Sequence, residues 1–160
     1  MYQTANRNRL IGLALSTAIA GAMVSGCASN AAPPAAASAA KAEAALAKGK
    51  HDKAVAAAEQ AVLAEPRNVS YRAILGSAYM DAGRFNSAAQ AYADARELGD
   101  SSARTALSLA LSLAASGKGP QAIAVLEESQ SRIADADLGL AYTLAGNPER
   151  GIHILTNALR

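Results

Sequence analysis

Glycine recurs at positions 49, 83 and 117, a spacing of thirty-four residues, and the residues around each glycine fall in the same frame. Self-similarity at a period of this size is the signature of a repeat architecture, in which each unit is one small supersecondary element stacked on the next. Inside each unit the apolar residues keep a helical period without strand-like alternation, and the breaks come at Gly49, Pro66, Gly83, Asp100, Gly117 and Gly146. The expected fold class is all-α: an α-solenoid of about four helix pairs over residues 38–68, 69–102, 103–131 and 132–160. The fourth unit arrives twenty-nine residues after the third, so a helix or turn between them must be about one turn shorter.

The residue types explain how such pairs close. Ala54, Ala88, Ala122 and Gly151 occupy the place where the second helix of a pair crosses the first, and a small side chain there lets the two backbones approach. Tyr79, Leu113 and Tyr142, with Tyr92, Leu126 and Leu155, are the large residues expected to fill the remaining space. Asn68 after Pro66 is an expected helix cap, and Asn147-Pro148-Glu149 reads as cap, first-turn proline and first-turn acid of the last helix. Gly49, Gly83 and Gly117 are expected to end the preceding helices in the left-handed conformation.

Leu75-Gly76 with Tyr79, then Gly83, Phe85, Ala88, Tyr92 and Ala95, closely resemble the tetratricopeptide repeat pattern over Val69–Ser102. The third unit places Leu109-Ala110, Leu113, Gly117, Ala122, Leu126 and Ser129 in the same positions, and the fourth Leu138-Gly139, Tyr142, Gly146, Gly151, Leu155 and Ala158. The first unit, with Ala42, Ala45, Gly49, Ala54, Ala58, Ala61 and Pro66, follows the pattern least closely. The resemblance implies a concave surface lined by the first helix of each pair. It assigns to that surface Ser70, Ala73, Ser77 and Met80 from the second repeat, Arg104, Leu107 and Leu111 from the third, and Leu140, Thr143 and Leu144 from the fourth. Such a surface is mostly aliphatic with a single cation, and it suits an apolar strand or amphipathic helix of a protein partner better than a carboxylate terminus. The alternative for Leu107, Leu111 and Leu140 is burial in the core of a tightly wound array. Because Ala158-Leu159-Arg160 forms no polar closing helix, the outer face of the last pair is expected to need cover from a partner, a second copy or further residues.

The amino-terminal region has a different character. Arg7 and Arg9 precede an apolar run from Leu10 to Val24, with no acid, and the small residues Ser25 and Gly26 follow: the order of a secretion signal. Fifteen apolar residues span only about 22 Å as a helix, short of the roughly 30 Å hydrocarbon core, so residues 1–26 are expected to be cleaved. Val24-Ser25-Gly26-Cys27 resembles the bacterial lipobox, which implies acylation of Cys27, the only cysteine, and a lipid anchor in place of a membrane span. Ala28 stands where an aspartate would imply retention in the inner membrane, so the resemblance implies the periplasmic face of the outer membrane. Residues 27–37, rich in Ala, Ser and Pro and without charge, read as a short tether.

Charge and chemistry narrow the function. Residues 1–26 hold two of the fifteen bases and none of the thirteen acids, so the remainder is neutral and gives no reason to expect nucleic-acid binding. His51 and His153 have no ligating neighbours in the sequence, so no metal set is expected. Glu127 and Glu128 point about 100° apart on a helix, and Asp135 and Asp137 flank a helix start, so these acids read as solvated or capping. No nucleophile elbow or phosphate loop is present, and neither an enzyme nor a cofactor is expected. Signal, tether and repeats together resemble the lipoproteins of secretion and pilus machines. Tyr71–Gly76, Ala82–Phe85, Arg104–Ala110 and Leu138–Ala141 look most like the TadD family of tight-adherence pilus assembly. This implies a non-catalytic adaptor for a pilus or secretin component; the alternative is a scaffold for peptidoglycan enzymes or envelope maintenance.

Overall fold

A computed structural model describes residues 34–160. The expected signal peptide, Cys27 and the tether up to residue 33 lie outside the described residues. Eight α-helices follow in order: α1 (Pro34–Leu46), α2 (His51–Ala64), α3 (Val69–Asp81), α4 (Phe85–Glu97), α5 (Ala103–Ala115), α6 (Gly119–Ser129), α7 (Asp135–Leu144) and α8 (Pro148–Ala158). A single 3-10 turn, Gln130–Arg132, follows α6, and no strand occurs among the described residues. The helices pack as four antiparallel pairs, and each pair packs on the next, as the thirty-four-residue period requires.

The tether ends earlier than expected. Helix α1 already starts at Pro34, whose fixed φ suits a first helical position, and Ala35 continues the buried face of Ala39, Ala42 and Ala45. Residues 34–37 are therefore part of the first pair, because the alanines pack despite lacking bulk.

Each hairpin turn uses the same device. Gly83 has φ +70°, its amide donates to the Met80 carbonyl at 3.0 Å, and the Arg84 amide donates to Tyr79 at 2.8 Å. The same two hydrogen bonds recur after Gly49, Gly117 and Gly146, and they satisfy carbonyls that a helix end would otherwise strand. Side-chain caps start α3, α5 and α8. Asn68 accepts from the Tyr71 amide at 3.3 Å, Ser102 from Thr105 at 3.2 Å, and Asn147 opens α8 by accepting from Arg150 at 3.2 Å. Asp135 and Asp137 lie in the first turn of α7, exposed and without a capping bond, where their charge complements the helix dipole.

The short fourth spacing is taken up by helices and not by the connection. Helices α4 and α5 have 13 residues each, whereas α6 has 11 and α7 has 10. The joining segment is 98–102 in one case and 130–134 in the other, unchanged in length.

Small residues set the distance within pairs. Ala54, Ala88 and Ala122 are fully buried, and a Cβ added to Gly76 would lie 2.7 Å from the Tyr92 ring of α4. In the last pair, a Cβ on Gly139 would lie 2.6 Å from Leu155, and one on Gly151 would collide with the Gly139 carbonyl and Thr143. Tyr92, Leu126 and Tyr142 are buried in the resulting core. Three ion pairs tie successive repeats: Arg84 to Asp52 at 3.4 Å, Arg96 to Glu128 at 2.9 Å and Arg150 to Glu127 at 2.8 Å. The Arg150 guanidinium also lies 4.5 Å from the centroid of the buried Tyr142 ring.

Three outcomes follow from this packing. Gly76→Ala destabilises the array by about 1–3 kcal/mol in urea unfolding, and pairing it with Tyr92→Leu recovers part of the loss. The Tyr142 hydroxyl is buried without a hydrogen-bond partner, so Tyr142→Phe leaves stability within about 0.5 kcal/mol of the parent or raises it. Burial pushes the Asp100 carboxyl up, but hydrogen bonds from the Thr105 hydroxyl and from Ser102, with the Arg96 charge, outweigh this and hold it below 3.8. A depressed folded value means stability that is complete above the unfolded value and lost as pH falls through the folded one. The urea midpoint of Asp100→Asn therefore falls less than that of the parent between about pH 5 and about pH 2.

Candidate protein-binding groove

Curvature follows from which helices touch. Helix α1 packs on α3, α3 on α5 and α5 on α7, while the even-numbered helices make their main contacts with the odd-numbered ones on either side. The odd-numbered helices form the closely spaced inner layer, and α1, α3 and α5 enclose a cleft of about 210 Å³.

The apolar part of the cleft lining is Leu46, Ala73 and Ile74. The polar part is formed by hydroxyls, from Ser77, Thr105, Ser108 and Tyr92, with Glu43 and Arg104 as one anion and one cation. Ser77 Oγ donates to the Ala73 carbonyl at 3.1 Å and lies 3.0 Å from Tyr92 Oη. The Tyr92 hydroxyl reaches this inner surface from α4 because Gly76 presents no side chain in its path. Thr105 donates to Asp100 at 2.6 Å, so its hydroxyl is committed to the start of α5. Ser112, fully buried beneath the cleft, donates to the Ser108 carbonyl at 2.7 Å with the Met80 sulfur 3.0 Å away. The floor is thus held by hydrogen bonds, while the side chains of Glu43 and Arg104 enter no ion pair among the described residues.

Of the residues expected on the concave surface, the structure brings Ala73, Ser77 and Arg104 together in this cleft. Ser70 is exposed one turn earlier on α3 and does not line it. Met80, Leu107 and Leu111 are half-buried against the main core, so the leucines of α5 serve packing between repeats. Leu140 and Leu144 are exposed on α7, away from the cleft. Thr143 folds its hydroxyl back onto the Gly139 carbonyl at 3.0 Å and lies close to Gly151, so it belongs to the crossing with α8. Of the four leucines expected on that surface, Leu107 and Leu111 go into packing while Leu140 and Leu144 stay exposed, and the cleft between α1, α3 and α5 is itself lined by hydroxyls, three apolar side chains and one pair of opposite charges. Glu43 and Leu46 were missed, yet they stand thirty-four residues before Ser77 and Met80, and the repeat register points to them.

Other candidates fall outside this cleft. His51 is exposed at the start of α2, and His153 is exposed on α8 with Asn157 at 3.4 Å. Glu127 and Glu128 hold Arg150 and Arg96. Among the described residues no group of three or more His, Cys, Asp and Glu side chains is arranged to hold a metal, and no helix is long and apolar enough to cross a membrane. Ile152 of α8 is 61% exposed, whereas Val55 and Ala89, its counterparts in the first and second pairs, are buried at 3% and 5%.

A family model of the tetratricopeptide repeat matches residues 39–103 and 75–137, which together span more than half of the sequence. The chain belongs to the tetratricopeptide repeat family. Members of the family are generally protein-interaction scaffolds, and the inner cleft occupies the face that such repeats present. Among solved structures, a crystal structure of MamA is similar in fold, with a TM-score of 0.67 and 22% identity over 78% of this chain and 76% of that one. A second MamA structure aligns with a TM-score of 0.38 and 21% identity over 79% of this chain and 90% of that one. A search of the curated proteins found no match.

Proposed function

We propose that this protein is a non-catalytic, lipid-anchored adaptor that holds a segment of another envelope protein in the cleft between α1, α3 and α5. The observation that carries this reading is the mixed lining: apolar Leu46, Ala73 and Ile74 beside the Ser77 and Ser108 hydroxyls, with Arg104 and Glu43 as opposite charges. An amphipathic helix or extended peptide that offers both apolar and polar groups matches it. The lipobox-like Val24–Cys27 supports anchoring through Cys27, and Ala28 supports the periplasmic face of the outer membrane. The resemblance to the TadD family supports a pilus or secretin component as the partner.

The test uses side chains that line the cleft without filling the core. Leu107 and Leu111 are unsuitable, because aspartate at either half-buried position would disturb packing. Ala73→Lys and Arg104→Glu are expected to keep the thermal midpoint near that of the parent and to reduce capture of the partner from solubilised membranes at least about tenfold. Undiminished capture by both variants removes the cleft from the mechanism.

A further inference from the structure

Four of the five lysines in the sequence, Lys41, Lys48, Lys50 and Lys53, line one recess of about 330 Å³ on the first helix pair. Its floor is Ala44, Ala45 and Ala57, and no acid lines it. Lys41 lies on α1, Lys48 lies in the turn that follows it, and Lys50 and Lys53 flank the start of α2. None of the four enters an ion pair among the described residues, in contrast to Arg72, Arg84, Arg96 and Arg150. The nearby acids are engaged elsewhere: Asp52 pairs with Arg84, Glu43 lines the cleft on the other side of α1, and Glu59 accepts from Tyr79. The ammonium groups repel one another in this arrangement, and an anionic surface relieves that repulsion.

We propose that this recess docks on the anionic phospholipid headgroups of the membrane that carries the protein, so that the first pair faces the bilayer and the inner cleft stands above it. The inference rests on the anchoring at Cys27 proposed above, and charge complementarity selects the occupant. Six residues separate Cys27 from Pro34, and the seven Cα-to-Cα steps between them span at most about 25 Å when fully extended. Lysines held so near a charged bilayer lie within reach of its surface potential, which decays over about 10 Å at moderate salt. The alanine floor lets the lysine stems lie flat and present their ammonium groups together.

The experiment is lysine footprinting of the full chain purified from membranes, mixed with phosphatidylcholine vesicles with and without phosphatidylglycerol. An impermeant amine-reactive acetylating reagent is the probe, and Lys118, two repeats away, is the internal control. On the anionic vesicles the labelling of Lys41, Lys48, Lys50 and Lys53 is expected to fall about fivefold, with Lys118 unchanged and high salt restoring reactivity. Equal labelling on the two kinds of vesicle overturns the proposal. So does labelling that is open on both but suppressed in intact envelopes, which would assign the recess to an acidic protein. Acyl mass at Cys27 in the same sample reports on the anchor separately. If the chain carries none, co-sedimentation with the anionic vesicles decides: its loss in the Lys41→Gln, Lys48→Gln, Lys50→Gln, Lys53→Gln variant supports docking, and its persistence overturns it.

Discussion

The close crossing of the two helices in each pair is the constraint on which the rest of this structure depends. With Ala54, Ala88 and Ala122 fully buried at three of the crossings and Gly151 at the fourth, the backbones approach until large side chains from either helix share one core. Gly76 shows the reach of this effect, since the missing Cβ leaves room for the Tyr92 ring. The ring then delivers a hydroxyl to Ser77 on the inner surface, and a residue of the outer layer becomes part of the groove. Packing and recognition meet at that one glycine.

The array is assembled from a turn used repeatedly and a core that is not. The paired backbone bonds after Gly49, Gly83, Gly117 and Gly146 recur with little change, which keeps the hairpins alike. Between repeats the solutions differ. Tyr79 of α3 donates its hydroxyl to Glu59, while its counterpart Tyr142 of α7 is buried beneath Arg150 with no partner. Shortening α6 and α7 brings the last pair in while the connection keeps its length, and Arg150 bridges the shortened junction to Glu127 and Gln130.

Charge is sorted by residue type along the array. Arginines, whose planar guanidinium makes directed hydrogen bonds, join neighbouring repeats or paired helices, and all four ion pairs among the described residues use them. Lysines gather instead on the first pair, where hydrated point charges face outward. The inner cleft carries one charge of each sign, so a partner there is selected by shape and hydrogen bonding more than by net charge. At the far end Ile152 and Leu159 are exposed, so the first and last pairs present surfaces of opposite character.

Helix class, glycine turns, the Asn68 and Asn147 caps and the buried small residues were legible in the sequence, because each rests on local spacing or on a backbone conformation that few residues adopt. The groove was legible only in part. Ala73, Ser77 and Arg104 are placed by the repeat register alone, and the same register applied to the first pair points to Glu43 and Leu46. The roles of Leu107, Leu111 and Thr143 were decided only by tertiary structure. A half-apolar helix position faces either a neighbour or a groove according to how closely the next helix approaches, and that distance is set by side chains far away in sequence. For the same reason α1 gained four residues of the expected tether: alanines at 35 and 39 have little hydrophobic bulk to announce burial, and it took the facing helix to cover them.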